Sequence, residues 1–162
     1  MCLACAALFV STGAAVHGGT RAAGPYDLHL FPTPAVPHAS GVARLVFAPS
    51  PFGIAVMPDG RASYNVQITA AGLPEPSTLG HYTAYVAWAA TPDLAQWVRL
   101  GSVTNGETTV GPVEFNKFLL IVAAGSSAAA ASPSGPTVLH GTSPSGYIQS
   151  FLSHPLFRGM PQ

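Results

Sequence analysis

The sequence predicts an all-β domain, an antiparallel sandwich of seven or eight strands of immunoglobulin-like or transthyretin-like type. Three observations lead there. Gly and Pro number 17 and 16, both above average usage, which favours many turns over long helices. Short apolar runs alternate with turn signals at roughly 8–12-residue spacing. Residues 63–71 show the clearest strand pattern: Tyr64, Val66 and Ile68 alternate with Asn65, Gln67 and Thr69, giving one dry and one wet face.

The elements follow in order along the chain. Residues 3–16 are small and apolar, too short to span a bilayer and of the length of a signal-peptide core. Residues 1–23 are therefore expected to be a signal peptide. No Lys or Arg precedes Arg21, so that signal is either weak or incomplete at its start; the alternative is a short buried strand or helix of the domain. Cys2 and Cys5 have C-x-x-C spacing but lie inside this segment and would leave with it. Residues 24–40, with Pro25, Pro32, Pro34 and Pro37, read as an extended leader in which Tyr26, Leu28, Leu30 and Phe31 can form an edge strand.

The sandwich itself is expected over residues 41–141. Its strands are placed at 42–48, 53–57, 63–71, 82–90, 96–103, 107–113, 117–124 and 136–140. Asn105-Gly106 is a two-residue hairpin signal. Trp88 is expected in the core, on one side of its strand with Tyr82, Ala84 and Val86 and opposite Tyr85. Phe118 to Val122 is apolar at both parities and belongs mid-sheet, covered on both faces. Residues 126–134 are Ala/Ser-rich and read as a loop. A closed barrel is the alternative architecture.

Composition removes several functions. Six Lys+Arg balance six Asp+Glu, and only 7% of residues are charged, against roughly a quarter in an ordinary domain. Nucleic-acid binding needs a basic surface to displace counterions from phosphate, and none is available. Direct attraction to acidic lipid is disfavoured for the same reason; a membrane is reached only through a complex or an uncleaved signal. A weakly charged surface suits an exported protein or a subunit of an assembly, so the expected location is extracytoplasmic: periplasmic, cell-surface or secreted.

Tyr82-x-x-Tyr85-Val86-Ala87-Trp88, Leu100-Gly101-x-Val103, Phe118 to Val122, and Pro133-Ser134-Gly135-Pro136-Thr137-Val138-Leu139 occur in succession. This stretch, about residues 79–141, resembles the extracytoplasmic domain of membrane-bound anti-sigma factors of the anti-sigma-K type. The resemblance implies the sandwich and the location only. The family's zinc-binding cytoplasmic domain and membrane helix have no counterpart here, so it does not imply control of a sigma factor.

Catalytic readings fare poorly. Gly141-Thr142-Ser143-Pro144-Ser145-Gly146 departs from G-x-S-x-G and lacks the following helix pattern, so Ser143-Pro144 is read as a turn. Among the carboxylates, Asp59 and Asp93 sit in Pro-Asp turns as local caps, and only Glu114 is placed as partly buried. The expectation is a protein without catalysis or cofactor, acting in protein binding or as a structural subunit of an envelope or membrane-associated assembly. The alternative is copper handling by His and Met, which imidazole and thioether donors suit. Its candidates are His140, His154 and Met160, since none of the six histidines forms H-x-H or H-E-x-x-H. Residues 142–162 are expected to be a docking segment, a short helix or tail. Its partner-binding candidates are Tyr147, Phe151, Leu152 and Phe157, with docking on the chain's own sandwich favoured over a separate partner.

Overall fold

A computed structural model describes residue 24 and residues 26–49, 63–126 and 130–145. Eight strands lie among the described residues: β1 (Asp27–Pro32), β2 (Ser40–Phe47), β3 (Tyr64–Ala71), β4 (Ala84–Ala90), β5 (Trp97–Val103), β6 (Gly106–Val113), β7 (Leu119–Gly125) and β8 (Thr137–Thr142). One short 3-10 turn, Pro76–Leu79, sits between β3 and β4. All ladders are antiparallel. The order β5-β4-β7-β8-β1-β2-β3-β6 makes one eight-stranded sheet. The all-β antiparallel class is therefore the one the sequence predicts.

The sheet curls until its two edges approach. β5 and β6 follow each other in sequence yet end opposite edges of the order. A Cβ on Gly101 of β5 would stand 3.1 Å from Val110 Cγ1 of β6. Eight strands enclose an interior just wide enough for side chains to fill, and here Leu28, Leu30, Leu45, Val66, Ile68, Leu120, Val122 and Leu139 fill it. The alternation seen at 63–71 is realised, with Val66, Ile68 and Ala70 inward.

Three expectations change. β1 is not an edge strand over the domain: Asp27–Leu30 pair with β2, and Phe31 and Pro32 pair with β8. Proline tolerates this place because it ends the strand, where a missing donor is harmless. Asn105-Gly106 does reverse the chain, with Gly106 at φ +94°, but the strands it joins share no ladder; β6 pairs with β3 and β5 with β4. Trp88 is buried, yet on the outer side of β4. Tyr85, Ala87 and Ala89 face the interior instead, and Val86 and Trp88 form a separate small cluster with Ala123.

β7 occupies the central position expected of a strand dry on both faces, between β4 and β8. The expected strand at 53–57 and the signal peptide with Cys2 and Cys5 lie outside the described residues.

Candidate functional site

The outer side of β1, β2 and β3 carries the most exposed apolar surface of the strands. Alternation turns Ala43 and Leu45 of β2 inward and Val42, Arg44 and Val46 outward. Val42 and Val46 are 39% and 38% exposed, and Phe31 on neighbouring β1 is 48% exposed. A wet face normally reads polar; this one keeps large apolar side chains in water. Between the strands runs a groove of about 570 Å³ lined in part by Asp27, His29, Phe31, Val42, Arg44 and Thr69.

The register arranges the groove in rows. His29 lies beside Val42, Val42 beside Thr69, and Thr69 beside Glu107. One row over, Asp27 lies beside Arg44 and Arg44 beside Gln67. Arg44 meets Asp27 with a two-pronged pair, Nε donating to Oδ1 (2.7 Å) and Nη2 donating to Oδ2 (3.0 Å). The Gly24 amide adds a third donor to Oδ2 at 2.7 Å. The hydrogen bond and charge of Asp27, with Glu107 further off, hold the Arg44 guanidinium more firmly protonated than usual. A bidentate pair of this kind fixes the planar guanidinium in one orientation, so the groove has a rigid polar floor beside its apolar walls.

At one end of the same strands, Tyr26, Phe47 and Tyr64 form an aromatic file. Tyr26 and Phe47 meet edge-on with centroids 5.9 Å apart, and Phe47 and Tyr64 lie 5.0 Å apart. At the other side of β1, Phe31 leans on His140, centroids 6.2 Å apart. A second, smaller cavity of about 260 Å³ lies between the 73–76 turn and the β4 and β5 ends. Its wall includes Tyr85, whose hydroxyl donates to the Pro74 carbonyl (3.0 Å). Burial, with the nearby Glu75 charge second, pushes that phenol's pKa up.

The sequence-chosen candidates are only partly within reach. His140 is an exposed residue of β8 facing Phe31. His154, Met160, Tyr147, Phe151, Leu152 and Phe157 lie outside the described residues. Among the described residues, no three of His, Cys, Asp and Glu come together as a metal-holding group. Ser143 is fully buried with its Oγ accepting from the Phe118 amide (3.1 Å), a structural tie. Asp93 caps its turn as expected, accepting from the Ala95 amide (3.2 Å).

Sequence reasoning missed the β1–β3 groove. Phe31, Val42 and Arg44 lie on two strands separated by a proline-rich connection, and their adjacency is a product of register. The available signal was Val42 and Val46 at even spacing opposite Ala43 and Leu45, a strand apolar at both parities whose outer face stays in water.

Fold and groove together define a curled all-β module whose β1–β3 face carries exposed apolar side chains beside a fixed ion pair. Residues 34–143, spanning β2 through β8, match the family model described as SPbeta prophage-derived uncharacterized protein YoqH, and the chain belongs to that family. No curated protein and no solved structure matches it significantly.

Proposed function

We propose that this chain is a non-catalytic protein-binding module that works outside the cytoplasm and docks a partner in the groove across β1, β2 and β3. The observation that carries the reading is the pairing of exposed Phe31, Val42 and Val46 with the fixed Arg44–Asp27 pair on one face. Protein interfaces combine apolar anchors with a polar surround of this kind, and exposed apolar patches of contiguous residues favour interaction sites. A subunit role in an envelope assembly fits the same surface. The extracytoplasmic placement rests on the apolar N-terminal run and on the resemblance of residues 79–141 to an extracytoplasmic domain.

The test is recovery of partners on the tagged chain from its native envelope, with and without Phe31→Glu and Val42→Glu. Both positions are exposed, so the fold is expected to survive while the specific partner is lost; an unchanged set of partners overturns the docking face. Fractionation is expected to find the protein outside the cytoplasm with about 15–25 residues removed, the size of a signal. A cytoplasmic form retaining Cys2 and Cys5 overturns the location.

A further inference from the structure

We infer that Asn105 is a site of spontaneous deamidation, gated by its two hydrogen bonds to Leu73, and that conversion releases the β5–β6 corner from the end of β3. The inference is independent of the β1–β3 groove.

Asn65, Asn105 and Asn116 are the asparagines of the chain, and Asn105 alone precedes a glycine. An asparagine loses its side-chain amide when the next backbone nitrogen attacks Cγ, and a side chain on that next residue obstructs the approach. Glycine removes the obstacle. A Cβ at 106 would meet no heavy atom within 4 Å, and Asn105 and Gly106 are both exposed, so solvent reaches the reacting atoms. The step balances with water alone. The Gly106 nitrogen gives its proton to solvent base and bonds to Asn105 Cγ; the Cγ–Nδ2 bond breaks and Nδ2 leaves as ammonia. Water then opens the ring at either carbonyl, giving an aspartate or an isoaspartate at 105. Nothing is oxidised or reduced, and loss of the ammonia makes the change one-way.

The fold holds the amide away from this reaction. Oδ1 accepts from the Leu73 amide (3.0 Å), and Nδ2, the leaving group, donates to the Leu73 carbonyl (2.7 Å). Leu73 is itself buried, 6% exposed. A side chain bonded to it through both polar atoms must let go before Cγ reaches the Gly106 nitrogen, so reaction waits on local opening of the corner. The product does not fit back into the same place. A carboxylate only accepts, and it faces the Leu73 carbonyl acceptor to acceptor. The adjoining cavity offers no relief: Glu75 is in its wall, and the described residues lining it include no Lys, Arg or His. Isoaspartate does more, adding an atom to the main chain just where β6 begins opposite Ala70.

The test holds the full chain at mildly alkaline pH, folded in buffer or unfolded in guanidinium, and follows Asn105 by peptide mapping with mass spectrometry. Conversion at Asn105 is expected in both, slower in the folded chain by on the order of tenfold or more, as two hydrogen bonds of ordinary strength impose on opening. Guanidinium below the unfolding transition is expected to raise the folded rate in step with hydrogen exchange of the Leu73 amide. Equal rates in the folded and unfolded chain overturn the gate, and no conversion in the unfolded chain overturns the site. The consequence is read separately on Asn105→Asp, which supplies the aspartate product directly. Its thermal midpoint is expected to fall and its Leu73 amide to exchange faster, with the β-sheet circular dichroism retained at low temperature. A midpoint and a Leu73 protection equal to the parent's overturn the claim that conversion releases the corner.

Discussion

Ser143 shows how little freedom a single hydroxyl has in this fold. Its amide donates to the Phe118 carbonyl (2.9 Å) and its Oγ accepts the Phe118 amide (3.1 Å), closing a two-sided tie between the end of β8 and the start of β7. Ser143→Ala strands the Phe118 amide in a buried place, and an unsatisfied buried donor costs about 1–3 kcal/mol. Chemical denaturation is expected to show a loss in that range, and an unchanged midpoint would mean that water replaces the hydroxyl. Asp93 carries a second residue-scale consequence. Its carboxyl is held below the ordinary aspartate pKa, chiefly by the Thr91 side chain and then by the Ala95 amide. A lowered folded pKa means a contribution that is complete above the ordinary aspartate range and lost as pH falls through the lowered value. The turn 91–96, closed by Thr91 and Gln96 and by the Trp97 indole donating to Leu94 O (3.0 Å), is therefore expected to loosen first on acidification. Carboxyl-carbon NMR titration checks this, and an Asp93 midpoint at or above that of a free aspartate contradicts it.

At the scale of elements, the strands written in alternation were the legible ones. β3 could be read from Tyr64 to Ala71 because its two parities differ in polarity, and β7 because Phe118 to Val122 are apolar at both. β1 was only half legible: its prolines advertise an edge, while Leu28 and Leu30 are buried between two neighbours. The separate pairing of β5 and β6 was not legible at all. An Asn-Gly signal specifies a reversal and says nothing about whether the ladder continues beyond it. What the structure adds is the use made of Asn105. Its side chain accepts from the Leu73 amide (3.0 Å) and donates to the Leu73 carbonyl (2.7 Å), so the amide group imitates a strand partner and pins the β5–β6 corner to the end of β3. Pro112 then sits on β6, an edge of the sheet, where a strand tolerates proline and discourages further pairing. Asn105→Ala removes two partly exposed hydrogen bonds, each worth roughly 0.5–1.5 kcal/mol. The expected loss is about 1–3 kcal/mol in thermal unfolding, accompanied by faster exchange of the Leu73 amide; protection of that amide unchanged from the parent would show the corner held by something else.

For the whole molecule, β1 decides whether the sheet behaves as one body or two. β6, β3 and β2 hang from its first four residues, and β8, β7, β4 and β5 from its last two. The sequence offered no route to this arrangement, since strand order depends on long-range register that periodicity does not encode. The bend at β1 has a visible chemical basis. Leu30 is seated between Gly41 on β2 and Gly141 on β8, and a methyl at 141 would stand 2.7 Å from the His29 carbonyl oxygen and 2.8 Å from Leu30 Cδ2. Glycine on both flanks lets the neighbouring backbones close in on one leucine, which joins the two halves across the interior. Leu30→Ala therefore empties the hinge of the core, at a cost of about 2–5 kcal/mol for a buried leucine. Because both halves lean on that side chain, the loss is expected to appear equally in each. Tryptophan emission follows the β4–β5 half, where Trp88 and Trp97 lie, and exchange of the Ala43 and Ile68 amides follows the β2–β3 half. Coincident transitions displaced by the same amount are the expected outcome, as for a single cooperative unit. Ala43 and Ile68 losing protection while the tryptophan transition stays in place would show that the two halves fold apart and that β1 merely links them.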